Sequence, residues 1–293
     1  MATPNPQSPG SLFAPLPYVL TALLPFGAGT ILAGVAGFPV RPEVFVLGAG
    51  ALAALVLAAS ASREAFGPGM GRFPAWGLFP PPAAKRLGYG LLLLAALLGL
   101  ILQCVCHTGE LTLPLGALGL LGGYFYFAPP FKWYRRGWGE ALGAVCLGLL
   151  PVVSGFYLQC GHLVTEVLLY GLPLTFAAFN LFLIHGFPPL DGAEPGQGRS
   201  LAARLGPVAA GLVFTLANIL TLAGLVFDLL FPANPLPFRW GFVLVILLAV
   251  VNQELIKQKA YRREARMRLV CRLTLAQHLG MGLVFVISLW PRW

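Results

Sequence analysis

The sequence predicts an all-α polytopic membrane protein, a bundle of nine transmembrane helices, and three observations carry that prediction. Apolar residues make up 58% of the chain and charged residues only 10%, against about 25% charged in an ordinary soluble domain. The apolar runs are long and continuous, not alternating, which selects helices over membrane strands, and inside lipid only helices and closed barrels satisfy every backbone polar group. The Lys and Arg residues gather in alternate links between the runs, as the positive-inside rule requires of a polytopic protein.

Residues 1–12 are rich in Pro, Ser and Gly and carry no Lys or Arg. They lack the charged start of a secretory signal and read as a disordered tail, leaving 13–293 as a single transmembrane domain. Each crossing needs ~20 apolar residues to cover ~30 Å of hydrocarbon. Span one, 16–37, is followed by a link holding Arg41 alone, and span two, 44–62, by Arg63, Arg72, Lys85 and Arg86. Spans three, 87–106, and four, 111–128, are joined without a basic residue; after span four come Lys132, Arg135 and Arg136. Spans five, 138–158, and six, 163–184, are likewise joined without one, and Arg199 and Arg204 follow span six. Span seven, 205–231, is long and precedes Arg239; span eight, 240–252, is short and precedes Lys257, Lys259, Arg262, Arg263, Arg266, Arg268 and Arg272; span nine, 273–290, precedes Arg292.

Sixteen of the 19 Lys and Arg residues thus fall in the even-numbered links. The expected topology in an inner or plasma membrane has the N-terminus and even links in the cytoplasm and the C-terminus outside. This sorting accounts for the net charge of +9 without a nucleic-acid partner. The basic stretch 257–272 is amphipathic enough to lie along anionic headgroups of membrane lipid, although a topology anchor explains it more simply.

Ionisable residues within a membrane protein are candidate functional groups. Here they crowd three even links. Lys132, Arg135, Arg136, Arg199 and Arg204 are suited to an anion, the Arg residues bidentately to phosphate oxygens. Glu64, Asp191 and Glu194 are the carboxylates of the same links, and Mg²⁺ needs only one or two carboxylates when substrate phosphates complete its shell. The aromatic run from Tyr124 to Tyr134 has two readings: rings facing a carbocation through cation-π attraction, or an interfacial aromatic belt.

The fourth and sixth links together resemble the UbiA superfamily of intramembrane prenyltransferases. Tyr126-Phe127-Ala128-Pro129-Pro130-Phe131-Lys132 is similar to that family's Tyr-Ser-x-Pro-Pro-x-Lys, and Arg136 to Glu140 to the Arg-Gly-x-Gly-Glu of its naphthoate prenyltransferases. Arg199-Ser200-Leu201-Ala202-Ala203-Arg204-Leu205-Gly206 resembles the Arg-Thr-Leu-x-x-Arg-Leu-Gly that closes its second aspartate-rich loop. The resemblance implies a nine-helix UbiA-like bundle that ionises a prenyl diphosphate with Mg²⁺ and passes the allylic cation to a quinone-like aromatic acceptor. It also implies roles: Lys132, Arg136 and Arg199 contacting diphosphate, Tyr126 lining the chamber, Glu140 supporting the acceptor. The expected catalytic residues are Lys132, Glu140 and Asp191; Tyr126, Arg136, Asn180, His185, Arg199 and Arg204 are expected to bind substrate, and Glu64, Asp191 and Glu194 the metal.

The family's metal motifs are replaced. Asn-x-x-x-Asp-x-x-x-Asp falls on Ser60, Glu64 and Pro68, and Asp-x-x-x-Asp on Pro189 and Ala193, with His185 where an Asn is common; the chain has only two aspartates, Asp191 and Asp228. A prenyltransferase with an atypical metal site is therefore expected, and a non-catalytic homologue that binds an isoprenoid or a membrane partner is the alternative. A transporter would need a polar path through the bilayer, which the spans do not show. Cys104, Cys106 and His107 face Cys160 and His162 at the opposite side, where a disulfide, a metal site or small buried thiols are the three readings. Cys146 and Cys271 have no sequence neighbour of that kind, and His278 reads as a packed polar group.

Overall fold

The computed structural model of the protein describes residues 15–67, 76–187, 200–230 and 239–290. Its helices are α1 (Leu16–Val35), α2 (Pro42–Phe66), α3 (Pro81–Leu100, continued by a π-helical turn over Ile101–Val105), α4 (Thr112–Gly123) and α5 (Gly139–Leu147). They continue with α6 (Leu149–Cys160), α7 (Val167–His185), α8 (Leu201–Leu230), α9 (Arg239–Lys257) and α10 (Glu264–Leu289). Among the described residues every regular element is helical. Eight segments of the described residues are long and apolar enough to cross a membrane, with α5 and α6 together making one of them.

The expected fourth span, 111–128, is the exception. Helix α4 has 12 residues, about 18 Å at 1.5 Å per residue, before Gly122 and Gly123 give way to a 3-10 turn over Tyr124–Tyr126. It nonetheless runs back along α3. The Leu113 N–H donates to Gln103 Oε1 at 3.1 Å near one end, and the Tyr124 ring lies 6.3 Å from that of Tyr89 near the other.

Three further boundaries move for local reasons. The fifth span is two helices parted at Gly148 (φ −105°, ψ −88°), because Pro151 has no N–H for the preceding turn and its ring crowds the carbonyl four residues back. Helix α8 starts four residues before the expected 205 and contains a break at Gly206 (φ 76°, ψ 164°). Pro207 bars its predecessor from helical geometry, and glycine takes the positive φ without a Cβ clash. The basic stretch 257–272 is not one surface helix: it divides into the end of α9, a 3-10 turn over Ala260–Arg262 and the first turns of α10.

Helix α1 packs on α6 through facing glycines. A Cβ on Gly29 would enter the Val152 carbonyl oxygen, and one on Gly155 the Phe26 carbonyl oxygen, so only glycine permits this backbone approach. Phe156, Leu174, Leu225, Phe242, Met281 and Phe285 fill the core where α1, α6, α7, α8, α9 and α10 meet. Helix α7 is the most enclosed, whereas α3, α8 and α9 turn Leu93, Leu97, Leu212, Leu216 and Leu244 outward, as lipid contact requires. Asn218, Asn252 and Gln277 close a buried amide knot: Asn252 Nδ2 donates to Gln277 Oε1 at 2.8 Å, Gln277 Nε2 to Asn218 Oδ1 at 3.2 Å, and Asn218 Nδ2 to the Ala249 carbonyl at 2.9 Å. These bonds run across α8, α9 and α10 and join helices in lipid.

The described even-numbered links meet at one end of the bundle, hereafter the basic end. At the other, far end, Arg41 donates through Nη1 to the Cys106 carbonyl at 2.9 Å and through Nη2 to the Leu158 carbonyl at 3.0 Å. It thereby satisfies the terminal carbonyls of α3 and α6 and meets the negative ends of their dipoles. The cysteines there are free, and Cys160 Sγ sits 3.4 Å from the Phe156 carbonyl oxygen of its own helix. Exposed tryptophans mark both ends, Trp138 at the basic end and Trp240 and Trp290 at the far end, the placement of interfacial anchors.

Candidate functional site

At the basic end, Tyr126, Phe127 and Tyr134 form a buried aromatic cluster joined by Tyr18 of α1 and Phe182 of α7. Tyr126 stands 4.8 Å from Phe127 and 5.2 Å from Phe182, centroid to centroid, within the range of favourable ring pairs. The link bearing them turns at Lys132, whose φ of 47° is left-handed. Burial pushes the Tyr134 phenol up to about 12, the Glu140 charge adds to the rise, and Arg63 opposes it. Tyr134 is therefore a neutral hydroxyl throughout the physiological range.

The aromatic cluster closes one wall of a cavity of about 130 Å³ between α1, α2, α4, α5 and α7. Its polar wall groups are Tyr18, Ser60, Arg63 and Tyr126; Leu52, Leu55, Val56, Leu147, Leu150 and several glycines supply most of the remainder. A second cavity, about 350 Å³, shares Leu52, Leu55 and Leu115 with the first and runs between α2, α3, α4 and α6 to Phe26, Leu102 and Leu158. Apart from Thr112 and Ser154 its walls are aliphatic, aromatic or glycine. The two cavities adjoin at Leu52, Leu55 and Leu115 and form a two-part chamber, its first part bearing the polar groups and its second almost wholly apolar, a succession suited to an amphiphile with a compact head and a hydrocarbon tail.

Among the described residues Arg63 is the one charged side chain on the wall of the first cavity. It is 7% exposed and lies 5.9 Å from the Phe127 ring centroid. As a sequence feature Arg63 counted only toward topology. The signal that marks it is helical spacing: Leu52, Leu55, Val56, Ala59, Ser60 and Arg63 fall at intervals of three and four and so form one face of α2.

Among the expected site residues, the structure puts Tyr126 on the chamber wall. The expected diphosphate cations that it describes lie elsewhere. Lys132 is half-buried in its turn and off the cavity wall. Arg136 is exposed, stacked 5.6 Å over Trp133, with Nε donating to the Phe131 carbonyl at 2.9 Å. Arg204 is exposed and donates through Nη2 to the Arg135 carbonyl at 2.7 Å, tying α8 to the preceding link. Short-range sequence spacing gathers these cations at one end of the bundle but does not show that Arg136 and Arg204 are exposed and bonded to the Phe131 and Arg135 carbonyls.

Glu140 is fully buried at the start of α5, and its Oε1 accepts the Leu201 N–H at 2.7 Å. Ser200 Oγ accepts the Ala203 N–H at 3.2 Å and donates to the Gly186 carbonyl at 2.6 Å. Carboxylate and hydroxyl thus cap the positive N-terminus of α8, a role the sequence reading gave to neither. His185 is behind the wall, not on it: Nδ1 lies 2.7 Å from the Leu181 carbonyl and Nε2 2.8 Å from Tyr18 Oη. A carbonyl accepts only, so Nδ1 carries the proton; in the neutral ring Nε2 then accepts from the Tyr18 hydroxyl. Asn180, 1% exposed, is likewise off the wall. Asp191, Glu194 and Arg199 lie outside the described residues.

Mg²⁺ fits the described residues poorly. Glu64, half-buried one residue beyond Arg63, has its Oε2 taken by the Gly77 N–H at 3.2 Å, and among the described residues no three His, Cys, Asp or Glu side chains gather to hold a metal.

The sequence model of the UbiA prenyltransferase family matches residues 22–276. Among solved structures, the apo structure of a UbiA homolog from Aeropyrum pernix K1 aligns at 16% identity with a TM-score of 0.68, covering 93% of this chain and 98% of that one. A UbiA homolog from Archaeoglobus fulgidus, bound to DMAPP and Mg²⁺, aligns at 16% identity with a TM-score of 0.58 over 96% of this chain and 99% of that one. At such identities the likeness is one of fold. No curated protein matches significantly.

Proposed function

The chain belongs to the UbiA prenyltransferase family, and from that membership we propose that it transfers a prenyl group from a prenyl diphosphate to a quinone-like aromatic acceptor within the membrane. The observation that carries this reading is the two-part chamber, with polar groups at the basic end and an apolar path toward Phe26, Leu102 and Leu158. An isoprenoid tail matches the path, and its head would then lie beside Arg63, Tyr18 and Tyr126. In the reaction the allylic C–O bond breaks with its electron pair leaving on the diphosphate, an acceptor ring carbon bonds to the cation, and the ring then loses a proton. Apolar walls keep water from the cation, and Tyr126, Phe127 and Phe182 on the wall bring π-density near it. The basic-residue bias supports a cytoplasmic position for this end.

A second reading, an isoprenoid-binding homologue without transfer, is favoured by the carboxylates: Glu64 alone stands in the described part of the first motif, and it is engaged with Gly77. The test uses the full-length protein purified in detergent and incubated with labelled prenyl diphosphate and a panel of aromatic acids and phenols, with Mg²⁺ and with chelator. A prenylated aromatic product supports transfer. Binding without any product supports the second reading, and absence of both binding and product overturns both.

A further inference from the structure

We propose that Phe26 and Leu158, meeting over Gly48, form the floor of the chamber and set the longest prenyl chain that the protein accepts. This rests on the prenyl-diphosphate reading above and names what selects the chain length of the donor.

Three observations carry it. Toward the far end the second cavity is lined by Phe26, Leu102 and Leu158, and these three belong with Val44 and Tyr157 to one buried cluster, so the cavity there gives way to packed side chains. The Phe26 ring is 1% exposed and stacks on Phe45 at 5.7 Å. The two floor side chains also converge on α2: a Cβ added to Gly48, itself on the cavity wall, would stand 2.7 Å from Phe26 Cζ and 3.0 Å from Leu158 Cδ1. Lastly, neither backbone is free to retreat. The Phe26 carbonyl lies so close to Gly155 that a Cβ there would enter it, and the Leu158 carbonyl is held by Arg41 Nη2 at 3.0 Å. A tail that reaches this floor meets side chains that yield only at the cost of overpacking. Helix α2 supplies the ruler. Gly48 lies 15 positions from Arg63 on the same helix, about 22 Å at 1.5 Å per residue. Ala51, also on the wall of the second cavity, stands about 4.5 Å nearer the polar end, a step comparable with one isoprene unit.

The experiment uses the full chain in detergent with excess Mg²⁺ and a series of unlabelled prenyl diphosphates, each one isoprene unit longer than the last, competing with a labelled short-chain member. In the wild type, affinity should rise by about 10-fold or more with each unit the chamber can bury and stop rising at the unit that meets Phe26. Phe26→Leu, which shortens the floor side chain and keeps it apolar, should move that limit to a chain one unit longer. Leu158→Ala should do the same, and it serves if Phe26→Leu does not fold. Ala51→Phe, which raises a ring above the floor, should move the limit one unit shorter. All three should bind the shortest member as the wild type does, which also shows that they are folded. A limit that stays in place in the folded floor variants, or a wild-type affinity that keeps rising with every added unit, overturns this assignment and leaves the prenyl-diphosphate reading intact. Binding of no member of the series overturns that reading itself.

Discussion

Tyr18 and His185 stand 167 positions apart in the chain and 2.8 Å apart in the fold. The Leu181 carbonyl fixes the imidazole proton, the imidazole orients the phenol, and the phenol forms part of the chamber wall. Tyr18→Phe keeps the ring and removes the donor, so it should lower stability by about 1 kcal/mol, read as a fall in melting temperature in detergent with the helical content retained. Ser200→Ala should cost a similar ~1 kcal/mol through the lost cap of α8. At this scale residue type was legible and partner was not. Sequence singled out Glu140 by its likeness to the family's Arg-Gly-x-Gly-Glu and His185 by its place at the end of span six, but each acts on an element remote in sequence, the Leu201 amide in one case and Tyr18 in the other. Arg63 was legible in principle from the face it shares with Ser60 and Val56.

Helices are where sequence and structure agree most, because long apolar runs leave the backbone no other means of satisfying itself in lipid. That argument gives nine crossings, and among the described residues eight segments are long and apolar enough to make one. Three departures lie at Gly and Pro: Gly122 and Gly123 where α4 stops, Gly148 and Pro151 between α5 and α6, Gly206 and Pro207 within α8; the break of 257–272 lies instead at Lys259, whose φ is 57°. Hydropathy averages over such residues and so does not see a break. It is equally blind to which glycines touch a neighbouring backbone. Gly29→Val should force α1 away from the Val152 carbonyl and destabilise the bundle by about 1–3 kcal/mol, whereas Gly90→Val, at a glycine on α3 with nothing near its virtual Cβ, should be nearly silent in the same thermal assay.

For the whole molecule, the sorting of basic residues foretold that the described even links would share one end, and they do. Sidedness follows from the same bias and is open to a direct check. Single cysteines placed at Lys132 and at His162 in a cysteine-free background should react with an impermeant thiol reagent from opposite sides, Lys132 only in inside-out vesicles. The reverse pattern would invert the orientation. The chamber was beyond sequence reading because its walls come from α1 to α7 and no contiguous motif encodes it. Leu55→Trp, at the join of the two cavities, should weaken binding of long-chain prenyl diphosphates more than that of short ones, measured by competition. The direction of the chamber has a further consequence. Its polar mouth lies at the basic end and its apolar part extends toward the far end, so a prenyl lipid inside it has the same head-to-tail sense as the phospholipids of the leaflet on that side. On the proposed function such a lipid would pass between that leaflet and the chamber without turning over, whereas exchange with the other leaflet would require a flip.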